Sequence, residues 1–182
     1  MLLSDEDSIL PAAAKNNCHT ARFHPMSIRG RINQISFEEA AVGKINWTRV
    51  ILGGLVAGMI INIFELALNG VVLAKDMETA IGALGRQMGP DALVMFIVWG
   101  FLVGIFAVWL YAAIRPRYGA GPKTALCAGA AVWGLGYLLA SVTPIALHLF
   151  PRRLMAIGLA VGIVEVLAGT LAGARFYREE TA

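Results

Sequence analysis

Four long apolar stretches constrain this 182-residue chain more than any other feature. They cover residues 50–74, 92–114, 124–150 and 154–174. These 96 residues contain only two charged side chains, Glu65 and Glu165. A helix needs about 20 apolar residues to cross a hydrocarbon core of about 30 Å, and each stretch is longer. Lipid offers no hydrogen-bond partner to backbone polar groups, so a spanning segment must be a helix or a strand of a closed barrel. No stretch alternates apolar and polar residues as a barrel strand does. The sequence therefore predicts an all-α membrane protein with four transmembrane helices.

The composition excludes an ordinary soluble domain. Of the residues, 58% are hydrophobic and 15% are charged, whereas a globular chain is about 45–50% apolar and about 25% charged. Cys18 and Cys127 lie on segments that the sequence does not bring together, and we expect no disulfide. The cysteines and histidines lack the spacing of a metal site, and no nucleophile with a base is present. We expect neither an enzyme nor a bound metal or cofactor.

The basic residues predict an orientation. Lys and Arg accumulate in the cytoplasmic loops of membrane proteins. Eleven of the 15 lie before the first stretch, between the second and third, or after the fourth. Together with the short connections, this distribution predicts an up-down bundle with both termini in the cytoplasm, an N-in/C-in arrangement. It also accounts for the net charge of +3, so we expect the lipid bilayer as a partner and no nucleic acid.

The chain divides into two parts by composition. Residues 1–45 hold ten of the 27 charged residues, and we expect a mostly disordered cytoplasmic tail there. Residues 46–178 are predicted to form a four-helix transmembrane domain. Its helices are expected at about 48–74, 91–114, 123–149 and 154–176, with a short external amphipathic helix at about 76–86. Pro144 should kink the third helix.

Each predicted helix carries small residues on one face. Helices in lipid associate through close backbone approach at such residues and through interhelical hydrogen bonds. The predicted packing glycines are Gly54, Gly58, Gly100, Gly104, Gly134, Gly158, Gly162, Gly169 and Gly173. These glycines predict one compact bundle. A glycine-rich face that is not used inside the bundle would be available for contact between copies of the chain in a homo-oligomer.

Polar residues share these faces and form the candidate site for a proton, a cation or a small substrate. They are Glu65, Glu165, Asn62, Asn69, Tyr137 and Ser141. Counted from the external helix ends at about 1.5 Å per residue, most of them reach similar depths near the bilayer midplane. The four stretches contain no Lys or Arg. An ionised side chain at that depth costs at least about 2.5–3.5 kcal/mol, so we expect at least one glutamate to be protonated.

Two functions are compatible with these residues. In the first, the chain has a structural or accessory role, and a neutral glutamate joins helices by hydrogen bonds. In the alternative, the chain is a small proton-coupled transporter or channel that uses its intramembrane glutamates.

Short motifs along the chain carry a family resemblance. Ile45-Asn46-Trp47 opens the first stretch, 149–153 forms the last tight turn, and the final helix is rich in glycine. Over residues 45–178 this layout resembles a bacterial family of small four-helix integral membrane proteins of unknown function. The chain departs from that family at Glu65 and Asn69, where the family tends to carry aromatic residues. The resemblance implies a membrane fold in the bacterial plasma (inner) membrane, and it implies no activity.

Overall fold

The computed structural model describes residues 44–179, and these residues form helices and short connections without a strand. The predicted tail lies outside the described residues except for its last two positions. The helices are α1 (Trp47–Ala67), α2 (Ala74–Ala83), α3 (Pro90–Tyr118), α4 (Pro122–Trp133), α5 (Val142–Ala146) and α6 (Arg152–Phe176). Two π-helical segments, Leu68–Val72 and Gly134–Leu139, come directly after α1 and α4.

Four segments are long and apolar enough to cross a membrane. They are span 1 (Trp47–Val72), span 2 (Pro90–Tyr118), span 3 (Pro122–Ala146) and span 4 (Arg152–Phe176). Large apolar side chains cover their outer faces; on span 2 alone Met95, Phe96, Trp99 and Leu102 are exposed. A soluble monomer rarely exposes an apolar surface of this extent.

Span 2 and span 3 end differently from the helices predicted there. Span 2 continues through Pro116 to Tyr118 rather than ending near residue 114, and it stops at Gly119, whose φ of 81° favours glycine. Span 3 is interrupted: α4 gives way to the π-helical segment and then to the short α5, which contains Pro144. Proline lacks the N–H that a continuous helix needs, which fits a distortion in this region.

Small residues let the four spans pack closely. Span 1 packs mainly on spans 2 and 4, and span 4 contacts all three of the others. The buried core is rich in alanine, including Ala57, Ala107 and Ala128, which are fully buried. A Cβ on Gly54 would lie 2.5 Å from the Ile105 Cα. The backbones therefore approach more closely than larger side chains would allow.

The predicted packing glycines fall into two groups. At Gly54, Gly58, Gly100, Gly104, Gly162, Gly169 and Gly173, a Cβ would press into a neighbouring span. At Gly134 and Gly158, a Cβ would meet no atom within 4 Å. Gly53 behaves like the first group, although it was not among the predicted packing glycines: a Cβ there would lie 2.5 Å from the Gly173 carbonyl oxygen.

The short helix α2 is held against spans 1 and 4. Ala80 of α2 is buried in one apolar cluster with Leu68, Leu73 and Leu154. This contact places α2 beside the π-helical end of span 1 and the start of span 4.

Candidate functional site

Glu165 lies in the middle of span 4, and none of its side chain is exposed. Its Oε1 accepts a hydrogen bond of 2.7 Å from the Tyr137 hydroxyl of span 3. Gly162 of span 4 makes room for this contact, because a Cβ there would lie 2.6 Å from the Tyr137 ring. The Glu165 Oε2 is buried and has no hydrogen-bond partner among the described residues. A buried acceptor without a partner is unfavourable, and a proton or another hydrogen-bond donor would satisfy it.

Glu65 approaches the same point from span 1. Its Oε2 accepts a 2.5 Å hydrogen bond from the Asn69 side-chain amide, one helical turn further on. Its carboxyl lies near that of Glu165. Two neighbouring carboxylates repel each other, and a proton on one of them removes that repulsion. The arrangement therefore suits a carboxyl pair that holds one proton.

No basic side chain balances the pair within the described residues. The ion pairs found there join Arg115 to Glu179 and Arg153 to Asp76, near the ends of the spans. Neither involves Glu65 or Glu165. Any positive charge at the pair must therefore come from a proton or a ligand.

A cavity of about 330 Å³ is lined by Glu65 and lies between span 1, α2, span 3 and span 4. Its polar lining consists of Glu65, Asn69, Tyr137 and Ser141. Its walls are apolar: Leu68, Leu73, Met77, Phe150, Leu154, Met155 and Leu159. The cavity thus combines an acidic end with a hydrophobic body, as small-molecule sites commonly do.

The structure brings five of the six predicted site residues together. Glu65, Asn69, Tyr137 and Ser141 line the cavity, and Glu165 contacts it through Tyr137. Asn62 lies elsewhere: its amide donates to the Gly58 carbonyl (2.8 Å) and to the Ile97 carbonyl of span 2 (3.2 Å). Asn62 therefore joins spans 1 and 2 and is separate from the site. Helical spacing alone could not reveal this, because Asn62 shares a face with Glu65.

Both π-helical segments contribute to the site, and neither was predicted from the sequence. Asn69 lies in the first segment and Tyr137 in the second. A π-helical turn is wider than an α-helical turn and shifts the direction of the side chains after it; such turns are frequent at functional sites. The one available signal is a glycine beside each residue, Gly70 and Gly136, and it is too common to identify a π-helix.

A second group of polar residues lies at the opposite end of span 4. The Arg115 guanidinium lies 5.5 Å from the centre of the Tyr177 ring, and its Nε lies 3.4 Å from Glu179 Oε1. Tyr177 is buried and packs edge-on against Tyr111. Burial raises the pKa of the Tyr177 hydroxyl. These contacts anchor the chain after span 4.

Comparisons of the chain with protein-family models, curated proteins and solved structures found no match. Among residues 44–179, no three His, Cys, Asp or Glu side chains gather in a way that could hold a metal ion.

Proposed function

We propose that the chain is a multi-pass protein of the bacterial inner membrane, with both termini in the cytoplasm, that exchanges a proton for a small cation at Glu65 and Glu165. The four apolar helices and their exposed apolar faces support the membrane location. The distribution of Lys and Arg supports the orientation. The activity is that of a small proton-coupled transporter or channel.

One observation carries this proposal: a cavity is lined by the carboxyl of Glu65, the buried Glu165 lies near it, and no basic residue balances the two within the described part of the chain. Two negative charges at that depth are costly, so a shared proton stabilises the pair. A cation that arrives through the cavity can take the place of that proton. Acidic residues inside membrane proteins commonly mark such pathways.

A structural role is the second candidate, and two hydrogen bonds favour it. Tyr137 joins span 3 to Glu165 of span 4, and Asn69 holds Glu65 within span 1. In this role both glutamates stay neutral and only stabilise the bundle. The structural role does not require the cavity to be accessible to a ligand.

The exchange function and the structural role predict different effects of Glu65→Gln and Glu165→Gln. Glutamine keeps the size and the acceptor oxygen of glutamate but cannot release a proton. We expect both variants to assemble, to change the infrared band of the protonated carboxyl, and to abolish proton-linked flux in proteoliposomes. Asn62→Leu is the matched control: it should lower stability by about 1 kcal/mol and leave the carboxyl titration unchanged.

If Glu65→Gln and Glu165→Gln assemble normally and leave every proton-linked flux unchanged, the exchange function is wrong and the structural role is favoured. If the wild-type carboxyls show no titration at all, the proton site itself is wrong.

A further inference from the structure

We infer that the ligand of this cavity is a small monovalent organic cation with an apolar body, such as an aralkyl ammonium ion. This inference rests on the proton-exchange function proposed above and names its substrate class. The cationic group would occupy the acidic end, and the apolar body would lie between spans 1, 3 and 4.

The charge of the ligand follows from the carboxyl pair. Singly protonated, the pair carries one negative charge and has one acceptor, Glu165 Oε2, without a partner among the described residues. When one monovalent cation binds, the shared proton can leave, and the exchange of one positive charge for another keeps the charge of the site constant. A divalent cation exchanged for the same single proton would change the charge of the site by one unit, so only a monovalent cation conserves that charge.

The apolar walls exclude a small inorganic ion as the best-fitting ligand. A metal ion requires several ligands at once, and no three His, Cys, Asp or Glu side chains gather among the described residues in a way that could hold one. Seven large apolar side chains surround the remaining volume instead. A hydrated ion would leave these side chains in contact with water, whereas a hydrocarbon body would cover them.

Two aromatic rings at the cavity suit an ammonium group. Tyr137 lies beside the carboxyl pair, and Phe150 contributes to the wall. The faces of aromatic rings attract organic cations, most strongly where water is excluded.

The volume of the cavity sets the size of the ligand. About 330 Å³ lies at the lower end of the range for small-molecule sites and accommodates a single aromatic ring with a substituted ammonium group. Two glycines offer a way to change this volume. Gly158 lines the cavity with open space at its Cβ position, while Gly82 of α2 has the same open space but does not line the cavity.

The test uses two probes of almost identical shape, benzyltrimethylammonium and its uncharged carbon analogue neopentylbenzene. Calorimetric titration of the full chain in nanodiscs, in buffers of different ionisation enthalpy, gives both the affinity and the number of protons released. We expect benzyltrimethylammonium to bind with release of one proton and neopentylbenzene to bind at least about tenfold more weakly.

The variants separate the cavity from the carboxyl pair. Gly158→Leu fills the cavity and should weaken binding of the cation by about tenfold or more, while the infrared titration of the carboxyls persists. Gly82→Leu should change the affinity less than about twofold, because its side chain lies outside the cavity. Glu165→Gln should remove proton release.

Three outcomes would overturn the inference. If the carboxyl pair titrates but benzyltrimethylammonium does not bind, the substrate class is wrong and the proton site stands. If neopentylbenzene binds as tightly as the cation, charge plays no part in recognition. If no carboxyl titrates in the wild type, the substrate class and the proposed function both fail.

Discussion

At the scale of single residues, glycine decides which helices can touch. Gly104 of span 2 faces the backbone of Gly58 in span 1, and a Cβ on Gly104 would overlap the Gly58 nitrogen. Neither backbone can move without shifting its whole helix. The hydrogen bond from Asn62 to the Ile97 carbonyl depends on the same close approach.

Gly104→Ala should therefore destabilise the bundle by about 1–3 kcal/mol, the usual cost of overpacking. Thermal unfolding of the purified protein in detergent measures the loss. Gly134→Ala is the matched control, because its Cβ meets open space and alanine favours a helix. Equal stability of the two variants would show that spans 1 and 2 do not approach as described.

At the scale of elements, the π-helical segment Gly134–Leu139 sets the direction of Tyr137. Upstream, the Trp133 indole donates a 3.1 Å hydrogen bond to the Leu159 carbonyl, which fixes α4 against span 4. The residues between Trp133 and Tyr137 therefore determine whether the hydroxyl reaches Glu165. An added or missing residue rotates the next part of a helix by about 100°.

Deletion of Leu135, whose side chain is exposed, should rotate Tyr137 away from Glu165. We expect the infrared band of the Glu165 carboxyl to lie at the same frequency in this variant as in Tyr137→Phe. Both variants lose the hydrogen bond from the Tyr137 hydroxyl to Glu165. Deletion of Leu139, equally exposed but after Tyr137, should keep the wild-type band. The segment has no positioning role if both deletions leave the band unchanged.

At the scale of the whole molecule, the proposed orientation places α2 outside and the connection between spans 2 and 3 in the cytoplasm. Glu78 lies on α2 and Lys123 lies at the start of span 3 beside that connection, and both residues are exposed. Their opposite sides of the membrane follow from the basic residues around the connections.

In a background with Cys18→Ser and Cys127→Ser, an impermeant maleimide added to intact cells should label Glu78→Cys. It should label Lys123→Cys only after the membrane is opened. The reverse pattern would invert the orientation and place α2, which lines the cavity, on the cytoplasmic side.

The number and approximate positions of the apolar helices could be predicted from the sequence, because the length and hydrophobicity that a bilayer requires are properties of a contiguous segment. The same holds for the polar faces, which follow from helical spacing. Those rules predict that Glu65, Glu165 and Tyr137 belong to one group of polar residues.

Only the tertiary structure separated the members of these faces. Asn62 and Glu65 share a helix face, yet one contacts span 2 and the other approaches span 4. Which neighbour each residue meets depends on how three other helices pack and on the π-helical turns that redirect Asn69 and Tyr137. The packing of the helices and the π-helical turns arise from the sum of many contacts across the bundle. No single segment of the chain determines which neighbour a residue meets.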